Sequence, residues 1–352
     1  MNGQNAYSPE DSGYYSEYVK SNTRLARRAY SRCALALVLY QVITYAVVFV
    51  AQFLIILIMG EERAKDLFSN EYVFWLFQVV PMYVVAFPCF YLMIKNMKVM
   101  RELNGKMKFA DLLITLFAAH GVMQVGNYIG LWLNSFISDL IGRDVINSTS
   151  ELIDNTSTWI TILVVVIIGP IIEELMFRKL MIDRLAPYGT VGAIIFSSVT
   201  FGLFHGNFFQ LFYAAFLGAV LGYVYAKTGK VRYTVILHMV LNFFGTVVAM
   251  KIIELAEYAS KYFNLESTSE ELIKAFHCIN VSSAYITLNF LFAIIGIIIL
   301  CVALIKRYVT VENKRIYRVD APNLALASVL NLGSILFIIG AIVLFALEIQ
   351  AK

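Results

Sequence analysis

The chain has 352 residues, of which 60% are hydrophobic and only 15% charged, with a formal net charge of +4. Mean hydropathy is +0.73; a water-soluble globule, which carries about a quarter charged residues, is excluded, as is intrinsic disorder, which is poor in aliphatic and aromatic residues. Four cysteines, Cys33, Cys89, Cys278 and Cys301, fit no disulfide framework or zinc spacing.

What remains is an all-α, polytopic transmembrane helical bundle. Each span needs about 20 apolar residues. Nine apolar segments meet the need, at roughly 33–59, 72–94, 112–136, 158–182, 190–208, 211–226, 233–252, 284–305 and 328–349; eight crossings is the alternative count. Residues 1–32 form a polar and basic tail with Arg24, Arg27, Arg28 and Arg32. No short apolar core with a cleavage site precedes the first span, so no removable signal peptide is expected. Pro81 and Pro88 fall inside the second span, where neighbouring helices can satisfy the freed carbonyls. Gly169-Pro170 interrupts the fourth, and a kink is expected there. Two long polar loops are expected, 137–157 and 253–283, the second holding His277 and a short amphipathic helix.

Basic residues orient the bundle. With the N-terminus in the cytoplasm, the inner segments hold 21 of the 28 Lys and Arg, Arg101 and Lys314 among them. The positive-inside rule therefore favours N-in and, with nine crossings, C-out. The expected organisation is a tail (1–32), spans one to three (33–155), spans four to seven (156–252), and an outer loop with spans eight and nine (253–352).

Ionisable residues inside spans are costly and mark candidate sites. The fourth span carries Glu173 and Glu174 after an apolar run. Neighbours on a helix point about 100° apart, so the two are not expected to serve one site equally. Arg178 stands four residues after Glu174, the favourable direction for an ion pair, which leaves Glu173 without a partner on its own helix. Such a carboxylate must be paired from another helix, hydrated or protonated. Phe201 and His205 share a face of the fifth span, and His238 and Asn242 share a face of the seventh. Carboxylate, imidazole and amide together can activate water and hold an oxyanion. His120 lies among Ala118, Ala119 and Gly121 in the third span and reads as an interhelical packing residue.

These residues resemble a known family. Glu173-Glu174-Leu-Met-Phe177-Arg178 is similar to its EExxFR motif, Phe201-Gly-Leu-Phe-His205 to its FxxxH motif, and His238-Met-Val-Leu-Asn242 to its HxxxN motif. The family is the CPBP (CAAX protease and bacteriocin-processing, Abi) family of intramembrane proteases, which includes the type II CAAX prenyl endopeptidases. The resemblance covers about 156–252. It implies that Glu173 and His205 activate water, that His238 and Asn242 stabilise the oxyanion, and that Glu174 and Arg178 support them, with no cofactor. Zinc held by Glu173, His205 and His238 is the alternative, although no HExxH helix is present. The partners implied are the bilayer and a membrane-associated peptide or protein, lipidated or not; no nucleic acid is expected. A bacterial plasma membrane is the expected location. A non-catalytic bacteriocin-immunity or scaffold protein and a proton-relay transporter are the competing readings.

Overall fold

A computed structural model describes residues 9–100, 105–264, 267–313 and 315–350, with side chains from Glu17 onward. Arg101 and Lys314 lie outside the described residues. Each of the nine expected segments is a helix, and no strand occurs among the described residues. Eight are long and apolar enough to cross a membrane. In chain order they are α1 (Pro9–Met59), α2 (Glu71–Ile94), α3 (Phe109–Ile141), α4 (Thr158–Tyr188), α6 (Phe208–Thr228), α7 (Val231–Tyr262), α8 (Ser269–Ile305) and α9 (Leu332–Gln350). The protein is an integral, multi-pass membrane protein.

The ninth helix, α5 (Thr190–Phe204), has 15 residues. At 1.5 Å per residue that is about 22 Å, short of the ~30 Å hydrocarbon core. It ends before the expected boundary at 208 because Gly206 adopts φ 68, a left-handed backbone that glycine takes without penalty. The Asn207 side chain then caps α6, accepting from the Gln210 N–H at 2.8 Å.

Helices overrun their apolar segments elsewhere. α1 begins within the expected tail, and α7 and α8 fill most of the expected loop 253–283, placing His277 on an exposed helical face. Hydropathy marks where a helix is apolar, not where it stops. The stop signals are polar: Thr268 and Glu271 cap α8 reciprocally, with Glu271 Oε2 accepting from the Thr268 N–H at 2.9 Å and Thr268 Oγ1 from the Glu271 N–H at 3.3 Å.

The residues divide into two compact units interleaved in sequence. The first comprises Met1–Arg101, Lys179–Ser197 and Val311–Val343. Its α1 buries Ala26, Tyr30, Cys33, Leu37 and Tyr40, a stripe at helical spacing. Tyr30 meets Phe196 edge-on at 4.9 Å between ring centroids. Buried Arg184 donates from Nε to the Ile94 carbonyl at 2.7 Å.

The second unit comprises Glu102–Arg178, Ser198–Thr310 and Leu344–Lys352. Its core joins Leu217, Leu221 and Val224 of α6 to Tyr233, Leu237 and Leu241 of α7 and Ala119 of α3. Lipid tails are as apolar as leucine, so helix contact in a bilayer depends on close packing rather than on expelling water. Glycines supply it. A Cβ on Gly296 of α8 would strike the Phe117 carbonyl of α3, and one on Gly126 of α3 would lie 2.6 Å from the Tyr213 Cα of α6. His120 sits at the first crossing, with Nε2 3.3 Å from the Asn289 carbonyl. Gln124 Nε2 donates to Asn289 Oδ1 at 2.9 Å.

Candidate active site

The site begins with a proline. Through Ile162–Ile168, α4 widens to i→i+5 bonding, and the Gly169 N–H reaches the Val164 carbonyl. In that register the next bond would run from residue 170 to Val165. Pro170 has no N–H, so the Val165 carbonyl is left free, and Asn242 Nδ2 of α7 donates to it at 2.9 Å. The kink expected at Gly169-Pro170 is thus expressed as a local widening, with a side chain from another helix replacing the lost donor. A second widened stretch, Glu174–Ile182, follows after the short α-helical segment Gly169–Glu173. Such single widened turns recur at functional sites.

Glu173, which ends the turn between these stretches, and Glu174, which opens the second, address one imidazole. His238 Nδ1 lies 3.0 Å from Glu174 Oε1, and His238 Nε2 lies 3.7 Å from Glu173 Oε2. Adjacent helical positions diverge, but the two nitrogens of an imidazole lie on opposite sides of its ring. One histidine can therefore bridge two neighbouring glutamates. The sequence expectation is that the two do not serve one site equally; they meet the same imidazole, at unequal distances.

The two glutamates are not equivalent. Glu174 and Arg178 side chains are fully buried, with Arg178 Nε 3.1 Å from Glu174 Oε2. The expected i,i+4 pair forms, as an ion contact rather than an aligned hydrogen bond. The Thr234 hydroxyl, one turn before His238 on α7, also lies against Glu174. Glu174 thus has Arg178, Thr234 and His238 around it. Glu173 keeps 24% of its side chain exposed.

Phe201 joins these parts. Its ring receives the Arg178 guanidinium carbon at 4.5 Å, a cation–π contact that suits a charge withdrawn from water. Arg178 Nη1 and Nη2 have no hydrogen-bond partner among the described residues. The Phe201 ring also meets Phe177 at 5.0 Å, His205 at 4.9 Å and His238 at 5.9 Å, all edge-on. The sequence signal for Phe201 was its i,i+4 spacing to His205, which gives a shared face but not the hub.

His205 stands just past the end of α5, in the turn before α6. Its Nδ1 lies 2.8 Å from the Phe201 carbonyl, one of the carbonyls a helix end leaves free. A carbonyl oxygen only accepts, so Nδ1 carries the proton and Nε2 is the open acceptor of the neutral ring. His205 is within electrostatic reach of Glu173, His238 and Arg178. Glu173, Glu174, Arg178, His205, His238 and Asn242 all lie in the second unit. Among the described residues, no three His, Cys, Asp or Glu side chains are grouped closely enough to hold a metal ion. The donor set Glu173, His205 and His238 does not fit one as it stands.

Comparison with known proteins agrees with the motifs. Residues 155–244 match the family described as type II CAAX prenyl endopeptidase Rce1-like. The chain is 31% identical over 134 residues to "Putative membrane peptidase YdiL" of Bacillus subtilis (strain 168), covering 38% of this chain and 52% of that protein. The chain therefore spans about half the length of that curated relative. No solved structure matches. All six site residues fall within the matched segment, and over 155–244 this multi-pass membrane protein resembles the Rce1-like type II CAAX prenyl endopeptidases.

Proposed function

We propose that the protein is an intramembrane endopeptidase of glutamic type, hydrolysing a peptide bond of a membrane-associated peptide or protein without a metal or ATP. The observation that carries this reading is the division of labour around His238. One glutamate is fully enclosed by partners, while its neighbour faces the same imidazole and stays accessible. The family match and the named peptidase relative support the reaction class.

In this reading Glu173 takes a proton from water, with His205 Nε2 as a second acceptor, and the oxygen attacks the scissile carbonyl carbon. The carbonyl oxygen becomes an oxyanion. His238, its Nδ1 tied to Glu174, donates to the oxyanion from Nε2, and Asn242 donates through the N–H that Val165 leaves free. The C–N bond then breaks and Glu173 passes its proton to the leaving amine. Glu174 and Arg178 hold the ring of His238 rather than the substrate.

Turnover of membrane peptides by the purified protein in liposomes tests this. Glu173→Gln preserves size and hydrogen bonding but removes the base, so hydrolysis should fall at least about a hundredfold. His205→Ala should fall similarly, and the double variant should be little worse, because groups acting as a unit are non-additive. Wild-type turnover should survive a chelator. A folded Glu173→Gln protein with near-full turnover would sink the mechanism and favour a binding or immunity role; loss of activity to the chelator would favour zinc.

We further propose a bacterial plasma membrane, on the family resemblance, and an N-in orientation, on the strength of the basic segments. If the short α5 crosses, a reporter fused after Lys352 reads extracytoplasmic; a cytoplasmic signal leaves eight crossings.

A further inference from the structure

The second unit contains a large cavity far along the chain from the glutamates. It measures about 830 Å³ and lies between α3, α6 and α8. Its walls are almost wholly apolar, with Ile114, Val122, Val125, Phe216, Ala219 and Ile299 among them. Its polar groups gather at one end: Lys106 and Lys227, with Asp111, Thr115 and Tyr308. The two lysines share that end because Gly105 lies directly against the Lys227 carbonyl and the Thr228 Cα. Both lysines are exposed. The one acidic group there is already engaged, since Asp111 Oδ2 accepts the Lys108 backbone N–H at 2.8 Å.

The packing explains the shape. α3 is clamped to α8 at Gly121 and Gly296 and to α6 at Gly126 and Tyr213. The Gly126–Tyr213 crossing lies next to Val125 and Phe216, the lining residues of α3 and α6 farthest from the lysines. Towards Lys106 and Lys227 the three helices leave room. From Asp111 to Val125 the α3 wall is about 21 Å long at 1.5 Å per residue, more than half of a ~30 Å hydrocarbon core. A pocket this deep, apolar along its length and cationic at its mouth, matches a lipid chain below an anionic headgroup.

We propose that this cavity is a binding site for one anionic phospholipid, its acyl chain between α3, α6 and α8 and its phosphate between Lys106 and Lys227. The occupant is a bilayer lipid because the cations stand at the membrane surface, where anionic headgroups lie and a lysine is worth roughly fivefold in affinity. A zwitterionic lipid such as phosphatidylcholine would bring its own quaternary ammonium to the two lysines along with its phosphate, so its headgroup carries no net counter-charge for them. Lys227 closes α6 just before the turn into α7, the helix that carries His238 and Asn242, so the lipid would brace that turn.

The full-length protein is reconstituted in nanodiscs of equal parts phosphatidylglycerol and phosphatidylcholine, stripped with detergent, and its retained lipid counted by native mass spectrometry. Wild type should keep one phosphatidylglycerol per chain. Lys106→Gln with Lys227→Gln, both exposed positions, should lower that retention about 30-fold with unchanged elution. Ala219→Trp, which fills the apolar part, should lower retention of either lipid. The proposal is overturned if the chain keeps no lipid or keeps both lipids equally. It is also overturned if the double-glutamine variant keeps phosphatidylglycerol as wild type does. Displacement of the lipid by a prenylated peptide, blocked by Ala219→Trp and indifferent to the lysines, would give the cavity to a substrate chain and overturn it as well.

Discussion

Two imidazoles of the second unit, His238 and His120, are held in opposite ways. His238 has a carboxylate at each nitrogen, at 3.0 and 3.7 Å, and a buried arginine behind one of them. His120 has a backbone carbonyl at 3.3 Å beside an amide–amide hydrogen bond, and sits where Gly121 and Gly296 let α3 and α8 touch. Hydropathy treats the two alike, as polar residues in apolar runs. The difference lies in their neighbours. His120 meets neutral dipoles, the Asn289 carbonyl and the Gln124–Asn289 amide pair, which describes a packing contact. His238 is surrounded by ionisable groups, one of them partly exposed. An intramembrane histidine therefore becomes a candidate for chemistry through the titratable group facing its second nitrogen.

Removing the charge behind His238 should have the largest effect. Arg178 and Glu174 are both fully buried, and taking away one member of such a pair strands the other. Arg178→Ala should cost roughly 3–5 kcal/mol. Protein abundance in membranes and the midpoint of thermal unfolding in detergent should both fall. Normal abundance with normal turnover would show that Glu174 does not need its partner, and the contrast with His120 would lose its electrostatic basis.

Asn242 sharpens the comparison, because it has a structural and a chemical task. One N–H supports the Val165 carbonyl that Pro170 leaves open; the other is the proposed oxyanion donor. Asn242→Ala should lose about 1–3 kcal/mol of stability from the unsatisfied carbonyl, and turnover by a hundredfold or more from the lost donor. Pro170→Ala in the same chain restores a backbone N–H at the position whose absence freed Val165. It should recover the unfolding midpoint and leave turnover low. Recovery of both would assign Asn242 a structural task alone.

These contacts mark the limit of reading the chain unaided. The spans were legible because each is an apolar run of sufficient length, and the Glu174–Arg178 pair because i,i+4 neighbours meet on any helix. The shortness of α5 was hidden in Phe204-His205-Gly206-Asn207, where apolar sequence continues into α6 across a turn set by one backbone angle. The sharing of His238 by two adjacent carboxylates was hidden because helix geometry gives only where they diverge, and the bridging ring belongs to another span. The Val165–Asn242 bond required knowing that α4 widens ahead of Pro170. Phe201 as a hub required all three helices at once. Local rules reach what one helix does to itself; the site is made between helices.

The smallest expected effect is the one that tests the comparison from its other side. Interhelical hydrogen bonds in membrane proteins average only about 0.6 kcal/mol, because the unfolded chain in the membrane also finds partners. The bond from His120 to the Asn289 carbonyl is long at 3.3 Å, and Gln124 still ties α3 to Asn289 through its own amide. The glycine crossing that holds the helices together remains in place. His120→Ala should therefore lower stability by about 1 kcal/mol, read as a small shift of the unfolding midpoint, and leave turnover within about threefold of wild type. His120→Gln, which keeps a donor, should recover most of the shift. If His120→Ala elutes as a folded protein and yet loses a hundredfold in turnover, the amide-held imidazole takes part in the chemistry, and facing a titratable group is not what separates the two histidines.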